Sequence, residues 1–430
     1  MLVLVVALVV RLAAAGIWQR HIAGDGQFVF GDSLSYWQLG QHLAERQPYR
    51  YGNAFVFRTP GYPLLLAGMF KVVGSDADFL WGRALGACCG TAAVGLVYAL
   101  ASRLFDPTTA CAASVAAAVY PGAIASSIFI LSEAPFCPLM LAQLWLLVVA
   151  LHSRTTTSGT VFALLAGAAA GAATLARPSW LLFTPLVAAL MLLCPTTAGR
   201  GSRWWAPAAM LLGLVVVLTP WWLRNVRLSG HFIATTLQVG ESMFDGLNPQ
   251  ADGGSDLPAV NVFKQQLRGQ LGPQVVADGY EEGVASAVEL EYRTDRALGT
   301  AAIDWAAAHP RRVLELAGVK LLRMWSPWPN EPSFRRWPIA LVVAATYLPV
   351  MLAACAGAWM YTRRGLPYAL LWLPAVYFTA LHVVFVSSIR YRDPAMLALI
   401  VLAAGAALGR GRHAIGRTCD GATPIAEGGV

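Results

Sequence analysis

Apolar runs recur along the chain at residues 2–18, 81–101, 108–123, 128–150, 160–176, 179–195, 205–223, 338–360, 366–386 and 393–409. Runs of roughly 17 to 24 residues fit a hydrocarbon core of about 30 Å crossed as an α-helix, which satisfies its own backbone groups there. The pattern predicts an all-α, polytopic membrane protein, a bundle of about ten transmembrane helices. Two polar stretches interrupt it, residues 19–80 after the first span and residues 225–336 after the seventh.

Within the first polar stretch, "GDSLSYWQLGQHLAERQ" reads as a helix. Leu34, Trp37, Leu39 and Leu43 make an apolar stripe against Gln38, Gln41, His42 and Glu45. Asp32 or Ser33 fits its N-cap. The aromatics Tyr36, Trp37, Tyr49, Tyr51, Phe55 and Phe57 suit the headgroup region. Residues 60–73 (PGYPLLLAGMFKVV) are too short to span comfortably, begin at Pro60 and Pro63 and carry Lys71, so they predict an interfacial or re-entrant helix. In the second stretch, "GLNPQADGGSDLP" predicts a loop. A polar helix over 284–308 and an amphipathic helix over 311–325 follow, ending in "WSPWP". Trp325 and Trp328 read as interface anchors, with Lys320 and Arg323 placed for lipid headgroups.

Composition agrees. Of 430 residues 57% are hydrophobic and 13% charged, where a soluble domain carries about a quarter charged residues. The net charge of +8 is not a nucleic-acid signature, because the arginines stand mostly singly at the ends of apolar runs. With the N-terminus inside, cytoplasmic loops and tail collect Arg103, Arg154, Arg200, Arg203, Arg363, Arg364, Arg410, Arg412 and Arg417. The short outer loops hold Arg177, Arg390 and Arg392. That bias satisfies the positive-inside rule and turns both polar stretches to the non-cytoplasmic side. The chain divides into a transmembrane module at 1–224 containing the first outer loop (19–80), a non-cytoplasmic helical region at 225–336, transmembrane helices at 337–412 and a cytoplasmic tail at 413–430. The first run lacks a basic n-region and has Arg11 at its middle, so it predicts a retained anchor. Six of the seven cysteines sit inside apolar runs as small hydrophobes, and Cys419 is in the tail. No Cys/His spacing resembles a zinc site. The Ala-, Val- and Leu-heavy composition points to a bacterial inner membrane with a periplasmic active face.

The motifs come in a definite order: Gly31-Asp32-Ser33-Leu34-Ser35-Tyr36, Phe57-Arg58-Thr59-Pro60-Gly61-Tyr62-Pro63, Leu131-Ser132-Glu133 and Ala176-Arg177-Pro178. Then follow Pro220-Trp221-Trp222-Leu223-Arg224-Asn225, Gly246-Leu247-Asn248-Pro249, His309-Pro310 and Ile389-Arg390-Tyr391-Arg392-Asp393-Pro394. In this order and placement the chain resembles the membrane glycosyltransferases related to dolichyl-phosphate-mannose–protein mannosyltransferases, including bacterial relatives that use undecaprenyl-phosphate sugars. The resemblance extends over nearly the whole chain.

The resemblance implies an inverting transfer of a sugar from a polyprenyl-phosphate donor to a lipid or protein acceptor at the outer face. Such chemistry needs a base for the acceptor proton and cations for the departing phosphate. Asp32 takes the position of the relatives' catalytic acid. Arg58 takes that of their basic donor-phosphate contact, often Lys there, and Arg holds phosphate bidentately. Arg177, Arg224, Arg390 and Arg392 are further phosphate candidates, with Tyr36, Tyr62 and Glu133 in support. Many relatives carry a second acid where this chain has Ser33, which removes one carboxylate that a cation would use. No metal ligand is assigned, and the question of a divalent cation is left open; Asp25 is the substitute carboxylate nearest in sequence.

Each of these residues has a plainer reading. Asp32 serves as an N-cap, Arg58 touches lipid phosphate, and the other arginines snorkel to headgroups. Glu133, inside an apolar run, needs a partner or water, and Arg11 needs a carboxylate in the bundle. His21 and His42 read as interfacial polar residues. Two other functions use arginines and an oily cavity: a transporter or flippase of lipid-linked sugar, and a polymerase or ligase of surface polysaccharide. A transporter predicts repeats and midplane charge; here no repeat is visible and polar residues gather at one face.

Overall fold

The computed structural model describes residues 1–22, 28, 30–193, 202–280, 283–331 and 334–409. The readings made on Asp25, Cys194, Arg200, Arg410, Arg412 and the tail at 413–430 lie outside the described residues. In chain order the helices are α1 (Leu2–Ile22), α2 (Gly31–Ala44), α3 (Gly61–Val73), α4 (Phe79–Leu104), α5 (Pro107–Val119), α6 (Pro121–Ile128), α7 (Glu133–Leu151), α8 (Thr156–Ala176) and α9 (Phe183–Leu193). They continue with α10 (Ser202–Ser229), α11 (Val239–Gly246), α12 (Leu257–Ala277), α13 (Val284–Ala308), α14 (Pro310–Met324), α15 (Trp337–Tyr361), α16 (Leu366–Ala369), α17 (Leu373–Val384) and α18 (Ile389–Leu408). Among the described residues there is no β-strand, only an isolated bridge between Tyr51 and Ala54.

The architecture is that of an all-α polytopic membrane protein. Among the described residues, seven helices are long and apolar enough to cross a membrane: α1, α4, α7, α8, α10, α15 and α18. The expected span at 108–123 is instead a pair, α5 and α6, bent by 55° at Tyr120–Pro121. Pro121 lacks the N–H that would continue the ladder. The expected spans at 179–195 and 366–386 are shorter apolar helices, Pro178–Leu193 and Leu373–Val384. Residues 60–73 form the short helix predicted for them, packed on α2 and α8.

The bend explains the arginine in the first span. Breaking α5 leaves its last carbonyls without helical partners inside an apolar bundle. Arg11, fully buried, supplies them: its Nη1 donates to Ala118 O at 3.0 Å and Nη2 to Ala117 O at 3.2 Å. Its Nε donates to Ser127 Oγ at 3.2 Å. The expected carboxylate partner is replaced by the free end of a broken helix. Elsewhere small residues draw the helices together, as membrane packing requires. A Cβ on Gly167 of α8 would lie 1.9 Å from the Met210 carbonyl oxygen of α10, so the two backbones touch there.

The two polar stretches pack against each other on one face of the bundle. Phe55 and Val56 share an apolar cluster with Trp221, Ile233, Leu237 and Val288. Helices α13 and α14 fall where the periodicity put them. Lys320, expected among lipid headgroups, is instead buried. Its Nζ donates to Gly246 O at 2.9 Å, Val384 O at 2.7 Å and Val383 O at 3.3 Å, joining the ends of α11 and α17. Burial pulls this ammonium down to about 8, against a smaller pull upward from Asp245.

Candidate active site

Helix α2 does not start as its sequence suggests. Phe30 holds the N-cap position and no side chain caps the helix. Asp32 lies in the first turn, and its carboxylate turns away to two cations. Arg58 Nη2 donates to Oδ1 at 2.6 Å, and Arg390 Nη2 donates to Oδ2 at 3.1 Å. The N-cap reading of Asp32 is therefore replaced by an ion pair, while its place in a helical first turn also favours negative charge. Burial alone would raise this carboxyl. The Arg58 and Arg390 guanidiniums outweigh it and hold Asp32 well below the usual carboxylate range.

The pairing continues past Arg390. Its Nε lies 2.8 Å from Glu133 Oε1, and Arg177 Nη1 lies 2.8 Å from the same oxygen. These contacts are close but not aligned as hydrogen bonds, which leaves both N–H groups to be drawn by a better-placed acceptor. The result is a chain of alternating charge, Arg58–Asp32–Arg390–Glu133–Arg177. Three guanidiniums against two carboxylates leave one positive charge in surplus. Five structural elements meet to make it: α2, the loop before α3, the start of α7, the end of α8 and the start of α18.

Local structure fixes each member. Arg58 is set between Tyr36, 5.1 Å from its ring centroid, and Phe57, 4.6 Å away. Its Nε donates to Ser35 Oγ at 3.2 Å, and Ser35 in turn donates to the Asp32 carbonyl at 2.7 Å. The Tyr49 hydroxyl donates to Arg58 O at 3.0 Å. Gly61 lets this loop seat against α8, because a Cβ there would sit 2.5 Å from the Leu175 backbone. Tyr62 packs at a tilt against Tyr36, centroids 5.3 Å apart, and its buried hydroxyl has no hydrogen-bond partner among the described residues. Glu133 is the first residue of α7, since residues 129–132 are not helical. It is almost fully enclosed, at 1% exposure. Removing one partner of a buried pair leaves the other charge stranded, at a cost of about 3–5 kcal/mol. Glu133→Ala should lower stability by that order, read as the unfolding temperature of the detergent-solubilised protein. A variant as stable as wild type would show that Arg177 and Arg390 find water instead.

Two predicted phosphate ligands lie apart from this chain. Arg392, 1% exposed, donates through Nη1 to Met324 O at 2.9 Å and Ser326 O at 2.6 Å, under the Tyr347 ring at 3.8 Å. It caps the end of α14, because two positions along a helix turn a side chain about 200° away from Arg390. Arg224 donates through Nη2 to Phe55 O at 2.9 Å and Tyr49 O at 3.2 Å, so it holds the loop that carries Arg58. Sequence reading missed Phe30 and Tyr391, whose rings lie 5.1 and 5.3 Å from Arg390. It also missed His382, buried and stacked on Tyr391 at 4.1 Å, its Nδ1 bonded to Val386 O. Ser35, three residues after Asp32 on the same helix face, had a visible signal in that spacing.

A separate cavity of ≈ 590 Å³ lies between α11, α12 and α13, lined by Phe244, Phe263, Trp305 and the amides of Asn248, Gln250 and Gln266. No charged side chain lines it, so it does not suit a phosphate. Among the described residues no group of three or more His, Cys, Asp and Glu side chains converges as a metal site.

Comparison with known proteins bears on this arrangement. Residues 58–223 match the family model described as dolichyl-phosphate-mannose-protein mannosyltransferase, the family the motifs resemble. The oligosaccharyltransferase of Archaeoglobus fulgidus in its apo form shares the fold with a TM-score of 0.57 at 15% identity, covering 93% of this chain and 49% of that one. The archaeal oligosaccharyltransferase AglB from Archaeoglobus fulgidus, in complex with an inhibitory peptide and a dolichol-phosphate, gives 0.54 at 14% identity, covering 93% and 50%. ArnT from Cupriavidus metallidurans bound to undecaprenyl phosphate gives 0.46 at 16% identity, covering 94% and 77%. This chain thus spans about half the length of the oligosaccharyltransferases it matches, and at such identities the likeness is one of fold. A search of curated proteins returned no match.

Proposed function

We propose that this chain is an inverting glycosyltransferase that moves a sugar from a polyprenyl-phosphate donor to an acceptor at the non-cytoplasmic face of a bacterial inner membrane. The observation that carries the reading is the alternating ion chain with one uncompensated positive charge, gathered at one end of the bundle. A polyprenyl phosphate keeps its tail in the bilayer and its phosphate at the interface, where those guanidiniums lie. The match that begins at Arg58 and the fold shared with a structure holding dolichol-phosphate support it.

The ion chain gives Asp32 two states. While Arg58 and Arg390 grip it, its carboxylate is too weak a base to take a proton from an acceptor. A donor phosphate is an alternative anion for both guanidiniums and draws them off Asp32. The carboxylate then regains basicity beside the reacting sugar. The acceptor oxygen attacks the anomeric carbon from the face opposite the phosphate, and its proton goes to Asp32. The carbon–oxygen bond to phosphate breaks, its electron pair stays on the leaving oxygen, and Arg58 and Arg390 hold the anion. Attack from the opposite face inverts the anomeric centre. No step is routed through a metal.

A transporter or flippase remains the second reading, since it too needs cations for phosphate. Arg11 is taken up by the broken end of α5, and the charges of the ion chain gather at helix ends on one side of the bundle, whereas alternating access needs them near the midplane. Mass spectrometry of surface glycolipids and glycoproteins with and without the gene tests the function: a missing sugar on a defined acceptor supports transfer. Accumulation of an intact lipid-linked sugar, with every acceptor still modified elsewhere, would support transport instead.

Topology is tested separately. Cysteines at the exposed positions Gln47 and Asp252 should label from the periplasm, and cysteines at Arg154 and Arg364 from the cytoplasm. Labelling of position 252 from the cytoplasm would reverse the proposed active face.

A further inference from the structure

The loop that carries Arg58 is held by a residue far away in sequence. Glu291 of α13 accepts the backbone N–H of Phe55 on Oε2 at 2.7 Å and that of Val56 on Oε1 at 3.2 Å. On the carbonyl side, Arg224 donates to Phe55 O at 2.9 Å, and Val56 O accepts from Leu237 N at 2.9 Å. Every backbone polar group of residues 55 and 56 is thus engaged by the end of α10 or the region beyond it. Arg58 follows two residues later.

An anchor made only of apolar contacts would be the cheaper device, and it is also present: Val288, one turn before Glu291, packs fully buried on Phe55 and Val56. A buried carboxylate adds a desolvation penalty. Here no ion pair offsets it among the described residues, and burial pushes Glu291 up to about 7. What the carboxylate adds over packing is geometry. Two N–H groups on one carboxylate fix both the height and the rotation of the segment, which apolar contact does not.

We infer that Glu291 is a positioning residue for donor binding: it sets the register of residues 55–58 so that Arg58 reaches the phosphate. The inference rests on the reading of Arg58 as a donor-phosphate ligand. It makes the second polar stretch part of the donor site without touching the donor.

A double-mutant cycle on the full-length protein, titrated with undecaprenyl phosphate in detergent, tests it. Glu291→Gln keeps the side-chain shape but turns an N–H₂ toward one of the two backbone donors. It should weaken binding about tenfold, within the range for residues coupled through one network. In an Arg58→Ala background the same change should do nothing further, because Glu291 acts through Arg58. Val288→Ala, which loosens the same contact without touching the carboxylate, should lower the unfolding temperature and leave donor affinity within about twofold. If Glu291→Gln does not purify as a folded protein, Glu291→Asp takes its place in the cycle, since it keeps the charge and shortens the reach. Unchanged affinity in the Glu291 variant, additive losses in the double variant, or an equal loss in Val288→Ala would each overturn the positioning role. Unchanged affinity in Arg58→Ala has a different signature: it would remove the phosphate role of Arg58, and this inference with it.

Discussion

Asp32→Asn should reduce sugar transfer by about 10² to 10⁴, the usual worth of a positioned general base. The structure adds two expectations that the sequence alone would not give. Asparagine cannot balance Arg58 and Arg390, so the donor-free protein should lose about 1 to 3 kcal/mol, the cost of leaving charge-assisted donors unsatisfied. Donor binding should hold or tighten, because the phosphate no longer competes with a carboxylate for the same two guanidiniums. The unfolding temperature of the variant should therefore rise more on adding polyprenyl phosphate than that of wild type, since ligand stabilisation follows affinity. Transfer near the wild-type rate would reduce Asp32 to a counter-ion. The base would then have to be another group at this face.

The sequence made the site legible in part, for reasons that differ from residue to residue. Asp32, Arg58, Arg177, Arg390 and Glu133 were all singled out by motif or by topological placement, and the structure brings them into one ion chain. Arg392 was not separable from Arg390 by motif, since "IRYRDP" supplies both. Helical geometry separates them once the helix is known to start at Ile389. Glu291 was invisible, because its partners Phe55 and Val56 lie 236 and 235 residues away and no local pattern marks the contact. Among the elements, α13 and α14 were readable from periodicity, while α12 was hidden by Gly269, Gly272 and Pro273 within it. The break between α5 and α6 escaped notice because apolarity measures length and not direction. Arg11 was the clue: an arginine in a span needs acceptors, and the bend supplies them.

Arg390→Ala is expected to have the largest effect on the donor. Arg390 is the only member of the ion chain that contacts both carboxylates, Asp32 at 3.1 Å and Glu133 at 2.8 Å. Without it the remaining pairs, Arg58 with Asp32 and Arg177 with Glu133, are each neutral, and the surplus positive charge is gone. A phosphate would then compete with Asp32 for Arg58 alone, inside a matched pair, instead of for two guanidiniums in a chain that carries a surplus positive charge. One charge-assisted hydrogen bond is worth about 1.5 to 3 kcal/mol, and a factor of ten in affinity is about 1.4. Undecaprenyl phosphate should accordingly bind Arg390→Ala roughly 10- to 150-fold more weakly. Arg392→Ala is the control, two residues along and equally an arginine. It uncaps α14 and should lower the unfolding temperature, with donor affinity unchanged. If the two variants lost affinity equally, charge at this face would matter only in bulk, and the ion chain would have no special place in donor binding. If Arg390→Ala bound as wild type does, the phosphate would lie away from Asp32, and the proposed release of the base by the donor would fall with it.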